Sequence, residues 1–105
     1  MRILHVHGIG IDFDRVRDYP CDAISFADRP AKNPTLARLR GRTDYCPMGG
    51  LDETTIQEQP LADLRAQLDD AFAQPGRRKF IMAPGCTVPP ITPQRSLKCL
   101  HEHTL

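Results

Sequence analysis

No apolar run in this sequence approaches the roughly 20 residues that a membrane span requires, so no bilayer-spanning helix is expected. The first residues offer neither an apolar signal core nor a cleavage site, and a cytoplasmic location is the expectation. Charge of one sign is also missing: 14 Lys and Arg stand against 13 Asp and Glu. Basic residues gather only at Arg77-Arg78-Lys79 and in the Arg38, Arg40, Arg42 series, which argues against nucleic acid as a partner. Cysteines are few and far apart (Cys21, Cys46, Cys86, Cys99) with no CxxC spacing, so they read as reduced thiols rather than a disulfide framework. Aromatics make up only 6% of the chain, but the ten prolines fall at turns and helix starts, so disorder is not implied. At 105 residues the chain is expected to form a single domain, 1–105, with a modest core.

What is present is an alternation of short apolar runs and helical patterns. Met1–His7 reads as a strand, and Asp12 can cap a short helix from Phe13 to Asp18, ended by Tyr19-Pro20. Asp22–Ala27 reads as a second strand. Asn33-Pro34 has the form of a helix start, Asn at the cap and Pro in the first turn, with Leu36 and Leu39 inward and Gly41 as the stop. Thr43–Met48 reads as a weaker third strand ending in Gly49-Gly50-Leu51-Asp52. The clearest helix follows Pro60: Leu61, Leu64, Leu68, Ala71 and Phe72 fall on one face, and Gln74-Pro75-Gly76 stops it. Phe80–Ala83 reads as the fourth strand, and Thr92-Pro93 opens a last helix with Leu97 and Leu100 inward. The order β-α-β-α-β-α-β-α implies an α/β fold with a parallel sheet, either a small open sheet or half of an eight-unit barrel.

Chemistry-bearing side chains sit at two strand ends. In Ile3-Leu4-His5-Val6-His7-Gly8 the two histidines are two apart on a strand, so they share a face. In Phe80-Ile81-Met82-Ala83-Pro84-Gly85-Cys86 a strand stops at a Pro-Gly turn that presents one cysteine. Parallel strands open on the same side, so His5, His7 and Cys86 can converge as metal ligands; the duller alternative is two polar strand-end side chains and a small turn residue. Gly49, Gly50 and Asp52 either let backbone approach a ligand or cofactor, or form a tight turn before the next helix. His101 and His103 read as a solvated helix end, where histidine suits the helix dipole. Arg77-Arg78-Lys79 reads as a solvated loop, and Cys21, Cys46 and Cys99 as small apolar residues.

Four landmarks in this order resemble the C-terminal portion of the uroporphyrinogen decarboxylase superfamily. They are His5-Val6-His7-Gly8, Cys21-Asp22-Ala23-Ile24-Ser25-Phe26, Met48-Gly49-Gly50-Leu51-Asp52, and Phe80 to Cys86 followed by Pro89-Pro90-Ile91-Thr92-Pro93. The resemblance spans essentially the whole chain and implies four βα units forming the C-terminal half of a (β/α)8 TIM-type barrel. That superfamily includes porphyrinogen decarboxylases and zinc methyltransferases that move methyl groups between corrinoid proteins and thiols. In the decarboxylases the N-terminal half supplies the arginines and the aspartate that hold the substrate, and the last strand ends in Gly-His-Gly. Here it ends in Pro84-Gly85-Cys86, which points to the methyltransferase branch. In that branch the metal pattern is His-x-Cys on one strand and Gly-Cys on the last. His5 and Cys86 match, and His7 stands where the second ligand is a cysteine, an exchange zinc tolerates. The glutamate that related cobalamin-independent methionine synthases place on the intervening strand falls at Ala27, with Asp28 one residue beyond.

The resemblance therefore implies zinc as cofactor and a small-molecule thiol or a corrinoid protein as partner, with methyl transfer as the chemistry. Two other readings stay open: a decarboxylase relative of porphyrin biosynthesis, and a non-catalytic half-barrel completed by a partner that supplies the N-terminal half. Four curved strands would leave two apolar edges and one bare sheet face, so a homo-oligomer, most simply a two-fold dimer, is expected.

Overall fold

The computed structural model describes residues 1–74 and 79–104. Four strands, β1 (Ile3–Val6), β2 (Ala23–Phe26), β3 (Cys46–Leu51) and β4 (Ile81–Pro84), form one sheet in the order β1-β2-β3-β4. All three pairings are parallel, as the βα alternation requires. Three α-helices connect or follow them: α1 (Leu36–Arg40), α2 (Leu61–Ala73) and α3 (Gln94–Thr104). The architecture is a small α/β unit compatible with part of a TIM-type barrel. No helix among the described residues is long and apolar enough to cross a membrane.

Register assigns the faces of the sheet. Ile3, Ala23 and Cys46 lie in one row, and His5, Ser25, Met48 and Ile81 in the row two residues on, so these side chains share a face. Leu4, Val6, Ile24, Phe26 and Met82 lie on the other face and enter the core. There Ile24 and Phe26 pack with Phe13, Leu36, Leu39 and Ala71, while Leu51 packs with Ile56, Leu64, Leu68 and Cys99. The apolar spacing along α2 works as expected: Leu64, Leu68 and Ala71 are fully buried. Phe72 meets Phe80 edge-on, with ring centroids 5.9 Å apart.

Several local expectations are corrected. Phe13–Asp18 is not an α-helix; only Phe13–Arg15 form a 3-10 turn, and the Asp12 side chain makes no capping bond. The segment before Tyr19-Pro20 is too short to repay a helix nucleus, and burial of Phe13 under the Arg42 guanidinium anchors it instead. Helix α1 is capped by Thr35, whose hydroxyl accepts from the Arg38 N–H, and not by Asn33. Gly41 does end α1, in a right-handed conformation that needs no glycine. β3 runs on through Gly49, Gly50 and Leu51, past the expected strand end at Met48. Leu97 is 44% exposed, because α3 turns Ser96 and Cys99 inward. The expected stop at Pro75-Gly76 and the Arg77-Arg78 loop lie outside the described residues.

Candidate metal centre

In a flat sheet β1 and β4 would stand three strand spacings apart, about 14 Å. Yet Cys86 Sγ lies 3.6 Å from His7 Nδ1. Two local features bring the edges together. At the end of β4, a Cβ on Gly85 would fall 2.5 Å from Ala27 Cα, so only glycine lets the β4 turn ride against the end of β2. The Gly85 N–H donates to Leu51 O at 3.1 Å, which ties the same turn to β3.

On the β1 side, Asn33 fixes the loop that follows the histidines. Its Nδ2 donates to Gly8 O at 2.9 Å and to Ala27 O at 2.7 Å. Its Oδ1 accepts from the N–H groups of Gly10 at 2.7 Å and Ile11 at 3.1 Å. One buried amide thus pins the ends of β1 and β2 to each other with every donor and acceptor used.

One ligand atom each from His5, His7 and Cys86 lies within 4.8 Å of the other two, with both histidines exposed and the cysteine half-buried. The three expected ligand residues are therefore brought together. Two imidazoles and a thiol are zinc-type donors. A tetrahedral zinc with ordinary bond lengths would set sulfur and nitrogen ligands about 3.6 Å apart, which is the separation of Cys86 Sγ and His7 Nδ1. The His5 Nδ1 meets Ser25 Oγ at 3.1 Å, a contact that fixes the orientation of the imidazole. Ser25 was not singled out from the sequence, although it is the polar residue in the otherwise apolar run Ala23-Ile24-Ser25-Phe26, on the face that carries His5.

Two cavities border Cys86, and a third, of about 510 Å³, meets the cluster only at His7 and has Asp12 and Arg15 in its lining. Of the first two, one, of about 350 Å³, lies on the open sheet face over His5, Ser25, Met48 and Ala83 and reaches Cys86. The other, of about 420 Å³, lies at the mouth, bordered by His7, Ala27, Glu53, Gly85 and Cys86. Neither has a Lys or Arg among its lining residues. Glu53 is the second residue that sequence reasoning missed; its place at the mouth follows from the loop after β3 and leaves no periodic signal.

The glycine-rich segment sits inside the sheet. A Cβ on Gly50 (φ +105°) would lie 2.7 Å from Ala71 Cβ, and one on Gly49 would lie 2.7 Å from Asp28 Oδ1. Close packing of α2 and of Asp28 thus accounts for both glycines. Asp28 is buried, its Oδ1 accepts from the Gly50 N–H at 2.7 Å, and its Oδ2 has no hydrogen-bond partner. Burial pushes its carboxyl above the usual range, against the opposing pull of Gly50 and Arg29. Arg29 donates to Gly50 O (3.0 and 2.7 Å), to Gln67 O (2.9 Å) and to Asp70 (2.6 Å), and holds the Asp70 carboxyl below its usual range. Asp52 accepts from the Thr54 N–H and hydroxyl, organising the next loop, and its own N–H donates to Gln67.

The remaining thiols and histidines lie elsewhere. Cys99 is buried in the core, Cys21 and Cys46 are half-buried, and burial raises the Cys46 thiol. His103 is not simply solvated: its Nε2 meets Asp69 Oδ1 at 2.7 Å and joins α3 to α2, while His101 is exposed.

A search of curated proteins returns no match for this sequence. The family model for uroporphyrinogen decarboxylase (URO-D) matches residues 1–104, nearly the whole chain, and the chain belongs to that family.

Proposed function

We propose that the His5–His7–Cys86 cluster is a zinc site that activates a thiol for methyl transfer, the donor being a methylated corrinoid or another methyl compound. The observation that carries this reading is the convergence of three zinc-type ligand atoms within 4.8 Å at the mouth of a parallel sheet. Three protein ligands and an open position are what a catalytic zinc keeps, in contrast to the closed four-ligand structural site. When bound, zinc supplies Lewis-acid chemistry that lowers a thiol's pKa and holds its sulfur as a thiolate. The chain's own residues do the rest. Ser25 engages His5 Nδ1 and leaves Nε2 as the nitrogen free to ligate. His7 and Cys86 complete the ligand set, and the two adjoining cavities give a small molecule access to it. In the overall reaction the thiol sulfur bonds to the methyl carbon, the donor departs with the bonding electrons, and the thiol proton passes to solvent.

Among the described residues, the two cavities that border Cys86 have no Lys or Arg in their lining, and Arg15 lines only the third, on the far side of His7. This favours thiol chemistry at Cys86 over decarboxylation of an acidic tetrapyrrole, whose carboxylates need cationic partners. Cobalt(II) in place of zinc gives the test. Adding 2-mercaptoethanol to cobalt-loaded protein is expected to raise thiolate-to-cobalt absorbance above that from Cys86 itself. A spectrum unmoved by thiol contradicts the reading.

A separate observation supports an assembly proposal. None of the open-face residues Ile3, Met48, Ile81 and Ala83 belongs to either core cluster, and Ile3 is 47% exposed. This face fits a second copy of the chain, or a partner that supplies the other half of a barrel, in which case the isolated chain is silent. Sedimentation at micromolar concentration is expected to give a dimer; a monomer with cooperative unfolding contradicts self-association.

A further inference from the structure

The mouth cavity holds one carboxyl side chain. Among its lining residues Glu53 is the only acidic or strongly basic side chain, and the walls around it include Ile9, Ala27, Pro30 and Gly85. Glu53 is half-buried, and among the described residues its carboxylate makes no hydrogen bond or ion pair. Room for it is built into the fold: a Cβ on Gly85 would come 2.8 Å from Glu53 Oε2, so the glycine that lets β4 approach β2 also admits this carboxylate. Its charge also reaches Asp28, where it adds to the larger effect of burial in raising that carboxyl. A carboxylate against apolar walls gains most from a cation that enters the same cavity, because both groups are partly out of water. Cys86 and His7 border the same cavity, so a ligand that fills it spans from the carboxylate to the ligand cluster.

We propose that Glu53 makes this cavity the subsite for the cationic end of a small aminothiol, whose sulfur lies toward His5, His7 and Cys86. The proposal rests on the thiol-activating reading above for the sulfur end, and on Glu53 alone for the choice of charge. It predicts discrimination against thiols of similar length that carry an anionic or a neutral end.

The test uses metal-free protein and two reagents of opposite charge, aminoethyl and sulfonatoethyl methanethiosulfonate. In each the Cys86 sulfur attacks the reagent's sulfenyl sulfur, a mixed disulfide forms, and methanesulfinate leaves with the electron pair of the broken sulfur–sulfur bond. The first reagent leaves an aminoethylthio group on Cys86, which is the proposed ligand class itself. Peptide mass mapping follows Cys86 apart from Cys21 and Cys46, and each rate is divided by the rate on free 2-mercaptoethanol. The cationic reagent is expected to be favoured about tenfold, from two unit charges interacting across a partly screened cavity. Glu53→Gln is expected to reduce that preference to about twofold or less, while Glu53→Asp, which keeps the charge, retains most of it. Circular dichroism confirms that both variants fold. A wild-type ratio near one, or a ratio unchanged in Glu53→Gln, overturns the proposal. Zinc protection of Cys86 against both reagents alike is a distinct readout: its absence contradicts the metal centre, whereas the charge ratio in metal-free protein reports on Glu53.

Discussion

On one face of the sheet, Ile24 and Phe26 lie wholly buried against Leu36 and Leu39 of α1, and Leu51 against Leu64 and Leu68 of α2. On the other face the same strands present Ile3, His5, Ser25, Met48 and Ile81, with no helix of the described residues packed over them. Parallel sheets normally have both faces covered. The contrast separates two surfaces: the helix-backed face supplies the apolar burial that holds the unit together, and the open face and its mouth carry the His5, His7 and Cys86 cluster on which the proposals above rest. The residues joining the two, Asn33, Arg29 and Gly85, are polar or small and lie in the loops that follow β2 and β4.

The largest effect that can break this contrast is a cavity on the helix side. Phe26→Ala is expected to cost about 3–5 kcal/mol, read by urea unfolding, while Met48→Ala on the open face costs about 1 kcal/mol or less. Equal losses would mean that a partner covers the open face in solution. Next comes the junction. Asn33→Ala removes four hydrogen bonds and strands two carbonyls and two N–H groups, which is expected to cost about 2–3 kcal/mol. It should also loosen the loop after His7, read as weaker metal retention.

A smaller, signed effect comes from Asp28 and Asp70. The Asp28 carboxyl is raised by burial, so the folded state binds its proton more tightly than the unfolded state does. Its contribution to stability therefore falls as pH rises from the ordinary value of 3.8 to the raised one. Asp70 is lowered by its bond from Arg29, so its contribution is present above 3.8 and is lost as pH falls through its lowered value. Asp28→Asn is expected to remove the gain in stability on acidification just above pH 3.8 and leave the loss at lower pH, measured by unfolding across that range. The smallest effect is expected on the outer side of α3, where Leu97→Gln changes stability by no more than about 0.5 kcal/mol.

The element order and the α2 face were legible because apolar spacing encodes them directly. The boundaries that failed depended on packing partners far along the chain. Gly49-Gly50 looks like a strand end until Ala71 and Asp28 are placed against it, and Asn33 looks like a cap until the loops after β1 and β2 are adjacent. At the candidate site, His5, His7 and Cys86 could be named from strand alternation and a Pro-Gly turn. Ser25 and Glu53 could not, because one depends on strand register and the other on how closely β4 approaches β2.

The central claim is that the open mouth of this sheet holds zinc through His5, His7 and Cys86. Metal analysis of protein purified without chelator tests it most directly, with Cys86→Ser and His7→Ala prepared in parallel. The account predicts about one zinc per chain, with both variants retaining their fold by circular dichroism and losing most of the metal. No zinc in any of the three proteins, or full retention in both variants, would contradict it.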